Sequence, residues 1–424
     1  MIYTVSNSLQ KGIGFFVFMY LAGFLSTSEY AKFGLNYSLF SIISGLSAAG
    51  IYESIISNLN EHKNRSGELF KAGNSVFIIL SSTSFLFIFF LVPFFFESQF
   101  NSIVQYVILA IGAILISFFT YQSIVIRLRE EYSFSVILSF VPMLFSYIGG
   151  FIGVFYLEKE SGYFLGSLVG IIIILLCLLP LLIKKNILFS KDKEIVFSII
   201  YRIVPYIIIA VLMWLSGYGN SYVINYFFKD SDVATFVFLF TISSILQLVG
   251  SSMNQVWTPK FYNDYTHYAI EELERRYNRF TVIQGFVIGF AGLCIIVLSS
   301  FIFKAFQGFQ KFENTHYELF FLFLGYVVSI PWWHHQNYYM INNKGKVLMN
   351  ITLISSIIGY IIWVLCMFLL GRIGIYLGFF LQMFTRSMLV YIQAYKYWKI
   401  RSDWEGISIG TGVLLLSLFI IFIL

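Results

Sequence analysis

The sequence predicts an all-α, polytopic membrane protein: two six-helix bundles in a parallel pseudo-twofold repeat, plus a C-terminal thirteenth hydrophobic helix. Three observations carry that prediction. Of 424 residues, 58% are hydrophobic and only 11% charged, with a mean hydropathy of +0.81; a soluble domain carries about 25% charged residues. The apolar residues gather in runs close to the ~20 residues a helix needs to cross a bilayer. The basic residues concentrate on every second loop between those runs.

Thirteen runs are expected to span: 8–25, 33–57, 72–96, 103–126, 133–156, 162–183, 200–226, 233–257, 280–303, 317–341, 347–370, 373–395 and 407–424. The first follows Lys11 and continues into further spans, so it reads as a signal anchor and not a cleaved signal peptide. The second opens on a polar turn with an acidic residue, Glu29, in its first helical turn, where a carboxylate suits the helix dipole. Pro93, Pro142, Pro180, Pro205, Pro259 and Pro331 lie in or near spans and are expected to kink some of them, which neighbouring helices tolerate in a membrane. Gly149 with Gly153, and Gly162 with Gly166 and Gly170, form small-residue ridges suited to close helix packing. In the link 258–279, YAIEELERRYNRF has the charge spacing of a short amphipathic surface helix. The last run is short and starts with GISIGTG, so it either crosses or lies along the interface.

Twenty of the 27 Lys and Arg fall on the side that holds the N-terminus, six on the other, and Arg386 is left inside a span. By the positive-inside rule the N-terminus is cytoplasmic. The expected organisation is an N-terminal bundle (1–183), a cytoplasmic linker (184–199), a C-terminal bundle (200–395) and an extension with a hydrophobic helix (396–424). No soluble domain fits between the spans. The net charge of +6 is scattered over short loops and does not suggest nucleic-acid binding. Cys177, Cys294 and Cys366 sit in apolar runs without metal or disulfide spacing. No metal, cofactor or catalytic residue is expected.

The halves repeat. At an offset of 203, Glu29, Ala31 and Phe33 align with Asp232, Ala234 and Phe236; at 212, Gly162, Leu165 and Gly166 align with Gly374, Leu377 and Gly378. Six spans per half keeps both halves in one orientation, the parallel repeat of some transporters, and places binding at the interface between halves.

Four stretches, ordered along the chain, carry a family resemblance: LSTSEYAKFGLNYSLFSIISGLSAAGI, QVWTPKFYND, MINNKGKVLMNITLISSIIGYIIW and GRIGIYLGFF. They resemble the first loop and second helix, the Trp-x-Pro exit from helix 8, the basic loop between helices 10 and 11, and the Gly-rich opening of helix 12 in Wzx-type O-antigen and polysaccharide flippases. These belong to the multidrug/oligosaccharidyl-lipid/polysaccharide (MOP) exporter superfamily. The resemblance covers roughly residues 5–400 and departs at Tyr30–Ala31, where that family usually has Tyr–Gly. It implies a bacterial inner-membrane protein that carries an undecaprenyl-diphosphate-linked oligosaccharide from the cytoplasmic to the periplasmic leaflet. The implied partners are that substrate, membrane lipids, a polysaccharide polymerase and a chain-length regulator.

Candidate residues follow from polar groups inside spans. A mid-span Arg costs about 2.5–3.5 kcal/mol on insertion scales, so Arg386 should face protein or water. It either holds a diphosphate or acidic sugar through its guanidinium fork or bonds backbone carbonyls. Glu53 is either a protonatable coupling site or an interfacial acid in water. His334 and His335 serve in a proton relay or sugar contact, or pack beside Pro331; as adjacent residues they point about 100° apart and make a poor shared metal site. Trp214, Tyr218, Asn220 and Asn225 combine sugar-stacking rings and amides with Gly217 and Gly219, which would let the helix bend; the alternative is an aromatic belt with ordinary packing. Tyr30, Asn36, Tyr37, Asn254 and Gln255 carry the same two readings.

The sequence contains no G-x-x-x-x-G-K-[ST] phosphate loop, so any drive for transport comes from an ion gradient, substrate supply or a partner. A drug or ion antiporter of the same superfamily should show more acids inside spans. A membrane polymerase or acyltransferase should show acid–base groups on sizeable outer loops, and these loops are short.

Overall fold

The computed structural model describes residues 2–59, 65–96, 103–157, 159–184, 190, 192–342, 344–400 and 404–423. The helices are α1 (Ile2–Phe24), α2 (Thr27–Ala48), α3 (Ile51–Leu59), α4 (Ser66–Phe96), α5 (Ile103–Leu128), α6 (Tyr132–Tyr156), α7 (Lys159–Lys184), α8 (Lys193–Leu215), α9 (Asn220–Phe227), α10 (Asp230–His267), α11 (Ile270–Ala305), α12 (His316–Val327), α13 (Ile330–Ile341), α14 (Gly345–Leu370), α15 (Arg372–Trp398) and α16 (Trp404–Ile423). A 3-10 turn covers Gln307–Phe312. No strand occurs among the described residues, and each expected span falls on one or two helices. Among these residues eleven helices are long and apolar enough to cross a membrane.

Three expected spans are each two helices. The second breaks after Ala48 and resumes at Ile51. Gly50 holds a positive φ of +68° there, and a side chain at that position would collide with the Tyr206 ring. The seventh breaks at 216–219, between α8 and α9, where Gly217 and Gly219 lie. The tenth breaks at 328–329, and Pro331 occupies the first turn of α13, where its missing N–H costs nothing. Such interruptions inside a membrane are tolerated where the freed backbone is buried in protein or lines a cavity.

The chain divides into two compact units, Met1–Ala234 and Thr235–Leu424. In the first, α2 is the core element. Ser26 and Glu29 form a reciprocal capping box at its start, and Tyr30, Phe33, Leu35 and Leu39 are buried along it. Further along, Ile51, Ile55, Leu69, Val76, Tyr121, Ile195 and Ile199 close one apolar core drawn from α3, α4, α5 and α8. That packing keeps α8 in the first unit, whose boundary at Ala234 falls inside the opening turns of α10. The residues after the linker, Ile195, Ile199 and Ile203, belong to the core of the first unit. The sequence repeat and the packing unit are therefore different divisions of the chain.

The aligned glycines have a shared structural role. A Cβ on Gly162 or Gly166 would overlap the carbonyl of Gly153 or Gly149 in α6, and one on Gly374 the carbonyl of Cys366 in α14. One on Gly378 would press on Trp363 at 3.0 Å. In each unit these glycines let a helical hairpin, α6–α7 or α14–α15, close to backbone contact, the small-residue packing expected where lipid offers no hydrophobic drive.

One expectation is corrected. The stretch 268–280 is not a separate surface helix; it forms the first turns of α11, which runs unbroken to Ala305. It contains no Gly or Pro to stop it, and Arg276 pairs with Glu272 one turn earlier at 3.1 Å. The GISIGTG start of α16 is a packing surface. A side chain on Gly285 of α11 would overlap the carbonyl of Gly406, and one on Gly289 would lie 2.6 Å from the carbonyl of Gly410.

Candidate functional site

In the second unit the two histidines are fully buried in a wall of rings. Tyr277 and Phe280 approach His334 edge-on, at 5.0 and 5.2 Å between centroids. His335 is stacked between Tyr277 and Tyr391, each at 5.7 Å. Gln284 of α11, equally buried, ties this wall together. Its Nε2 donates to the Gly250 carbonyl at 3.1 Å, and its Oε1 lies 2.6 Å from His334 Nε2. The first bond fixes the amide orientation, so the second requires His334 to carry its proton on Nε2. Nδ1 of His334 has no hydrogen-bond partner. The histidines point into different ring contacts, as the 100° step requires, and no group of three or more His, Cys, Asp or Glu suited to a metal occurs among the described residues.

Arg386 projects from the middle of α15, partly buried. Its guanidinium carbon sits 3.7 Å above the ring of Trp332 in α13. Its Nε is buried with no hydrogen-bond partner, and it makes no salt bridge among the described residues. A cation–π contact returns up to ~2 kcal/mol when desolvated, against the ~2.5–3.5 kcal/mol an Arg costs at mid-span. Asn254, on α10, also has an unpartnered buried oxygen, while Gln255 beside it is exposed.

In the first unit, the break between α8 and α9 is fastened to α2. Trp214 Nε1 donates to the Ser38 carbonyl at 2.8 Å, the Ser38 hydroxyl donates to the Tyr218 carbonyl at 2.8 Å, and the Tyr222 hydroxyl donates to the Leu35 carbonyl at 2.7 Å. Tyr37 meets the Tyr218 ring edge-on at 5.2 Å. Asn220, fully buried at the start of α9, has neither amide atom hydrogen-bonded, whereas Asn225 is partly exposed. Tyr37 also lines a cavity of about 30 Å³ with Tyr147, Tyr163, Ser146 and Ser167, room for about one water and not for a sugar. Tyr30 and Asn36 are buried within the α2 core. Glu53 is exposed in the first turn of α3.

Sequence reasoning named Trp214, Tyr218 and Tyr37 without placing Tyr37 beside the other two, and it missed Ser38, Gln284 and Trp332. Gln284 carried a signal, as a lone amide inside an apolar span. Trp332 carried none, because its meaning lies in its contact with α15.

The sequence profile of the family described as "Polysaccharide biosynthesis protein" matches residues 1–263. No curated protein matches the chain. An inward-facing MATE-family multidrug transporter of the MOP superfamily is similar in structure, with TM-score 0.70 and 15% identity over 91% of this chain and 94% of that one. The lipid II flippase MurJ in an inward closed conformation has TM-score 0.67 and 16% identity over 100% of this chain and 92% of that one. A MOP superfamily transporter from Pyrococcus furiosus has TM-score 0.57 and 15% identity over 93% and 95%. At such identities the likeness shows the fold, an all-helical arrangement of two repeated bundles. The chain is a polytopic membrane protein with the MOP-superfamily transporter and flippase fold, and it belongs to the polysaccharide biosynthesis protein family.

Proposed function

We propose that this protein is a flippase for undecaprenyl-diphosphate-linked oligosaccharide units. It moves them from the cytoplasmic to the periplasmic leaflet of a bacterial inner membrane by alternating access, for assembly of O-antigen or another surface polysaccharide. The observation that carries this reading is Arg386: a mid-helix guanidinium supported by an aromatic face, with no salt-bridge partner among the described residues. A diphosphate is the anion such a fork suits, since two N–H groups can meet two phosphate oxygens. The family match and the likeness to a lipid II flippase support the same reading. The N-terminus is cytoplasmic in this account, following the basic-residue asymmetry.

The acids count against a drug or ion antiporter. Among the described residues the buried carboxylates are Asp264 and Glu318. Asp264 faces Arg276 at 3.5 Å and Glu318 faces Arg372 at 3.3 Å, so neither stands ready to exchange a cation. The test is depletion of the protein in its own cells. The proposal expects lipid-linked repeat units to accumulate on the cytoplasmic leaflet while surface glycan falls. Unchanged surface glycan with increased sensitivity to cationic drugs would favour the antiporter.

A further inference from the structure

We infer that a cationic slot between the ends of α10 and α11 binds the phosphate headgroup of an anionic lipid, whose tail lies along one face of α11. The slot has a volume of about 670 Å³ and is lined by Trp257, Lys260, Glu272, Arg275, Arg276 and Arg279, with Phe280 and Ile283 at its apolar end. That volume is in the usual range for a bound small molecule. Four cations face one carboxylate, and the cations are not equivalent. Arg276 is held in place: it pairs with Glu272 at 3.1 Å and Asp264 at 3.5 Å and lies 3.8 Å from the Tyr268 ring centroid. Arg275 shares Glu272 at 2.7 Å while remaining largely exposed. Lys260 and Arg279 make no salt bridge among the described residues; Lys260 sits 5.7 Å from the Trp257 ring centroid. The slot therefore carries unneutralised positive charge, and Arg275 and Arg279, one turn apart on one face, repel each other unless an anion lies between them.

The apolar half points to a lipid and not to a free anion. Continuing from Arg275 and Arg279 at helical spacing, the same face of α11 presents Ile283, Phe286 and Phe290, each at least half exposed (55%, 50% and 51%). From Arg279 to Phe290 this stripe runs about 16 Å at 1.5 Å per residue, long enough to seat much of one acyl or prenyl chain. Basic pockets between membrane helices on the side rich in Lys and Arg are where anionic headgroups bind. The chemistry required, phosphate plus apolar tail, is met by an anionic phospholipid of the surrounding leaflet or by a prenyl diphosphate. The inference does not depend on which molecule the protein transports.

The test is native mass spectrometry of the full chain in detergent, titrated with phosphatidylglycerol, phosphatidylcholine, a short prenyl diphosphate and inorganic phosphate. Wild type should take up phosphatidylglycerol in preference to phosphatidylcholine. Arg275→Gln with Arg279→Gln should weaken that uptake about twenty-five-fold, taking roughly a factor of five per cation. Ile283→Gln with Phe286→Gln should weaken it as well. Equal losses for phosphatidylglycerol and prenyl diphosphate support a general lipid-phosphate site; losses for both that are larger for prenyl diphosphate support the same slot serving the transported lipid. Should the double arginine variant unfold, Lys260→Gln, at an exposed side chain, gives the same reading at about fivefold. Unchanged uptake in the charge variants, or inorganic phosphate displacing lipid as well as lipid displaces itself, overturns the inference.

Discussion

The bond between Gln284 and His334 allows a quantitative test of whether the histidine pair is structural. Gln284→Leu removes the acceptor of the 2.6 Å bond and strands His334 Nε2–H in a fully buried position. A buried polar group left without a partner costs about 1–3 kcal/mol. His334→Phe, of similar shape, instead strands Gln284 Oε1, although the bond from Gln284 Nε2 to the Gly250 carbonyl survives; its cost is again about 1–3 kcal/mol. The double substitution leaves only the Gly250 carbonyl short of a second donor. It should cost no more than one single change, since replacing both partners with apolar groups is close to neutral. The cycle therefore predicts a coupling of about 1–3 kcal/mol, well above the 0.3–0.5 kcal/mol scatter of independent sites. Denaturant unfolding of the four proteins in one detergent measures it. If the two losses simply add, the bond does not hold α10, α11 and α13 together as described. The double variant also separates packing from chemistry: it should keep transport if His334 is structural and lose it if His334 relays protons.

Other consequences are as specific. Trp214→Phe keeps an aromatic ring but removes the N–H that reaches the Ser38 carbonyl and part of the indole; it should cost at least about 0.5–1.5 kcal/mol, read as a lower unfolding midpoint, and no change would mean the α8–α9 break is not fastened there. Gly285→Leu should force α16 off α11, costing about 1–3 kcal/mol or more from overpacking; a cysteine-accessibility assay should then label the α16 face, and an unlabelled, equally stable variant would contradict the seam. Asp192 caps α8 through the Ile195 and Glu194 amides and pairs with Arg65 at 2.5 Å. The Ile195 amide bond, ahead of the Arg65 charge, holds its carboxyl below the usual range. A folded-state value below the unfolded one, ~3.9, means its stabilisation is complete above that pH and lost as pH falls through the folded value. Acid unfolding of Asp192→Asn should lack that part of the pH dependence, and an identical acid profile would refute it.

The apolar helices, eleven of them long enough to cross a membrane among the described residues, were legible because burial in lipid writes itself as continuous apolar runs. Where those runs break was only partly legible. Gly217 and Gly219 announced the interruption at 216–219, but the break at Gly50 depends on a positive φ and on the Tyr206 ring packed against it. Pro331 marked the third break without fixing its place at 328–329. The continuation of α11 through 268–280 was hidden because a charged stretch at a membrane surface looks the same whether or not the helix carries on. At the candidate site, Arg386 stood out by its cost alone, whereas Trp332 and Ser38 gain their roles from contacts between distant helices. Grouping α8 and α9 with the first unit likewise rests on Ile195 and Ile199 meeting Ile51 and Ile55, which no local pattern records.

The most direct measurement is translocation of a fluorescent undecaprenyl-diphosphate-linked oligosaccharide in vesicles containing the purified protein, with Arg386→Ala beside wild type. The account predicts protein-dependent flipping by wild type, loss of most of that rate in Arg386→Ala, and partial recovery in Arg386→Lys, which keeps the charge without the fork. No flipping by wild-type protein that remains folded in the vesicles would contradict the proposed function, and an unaffected rate in Arg386→Ala would remove Arg386 from the path of the diphosphate.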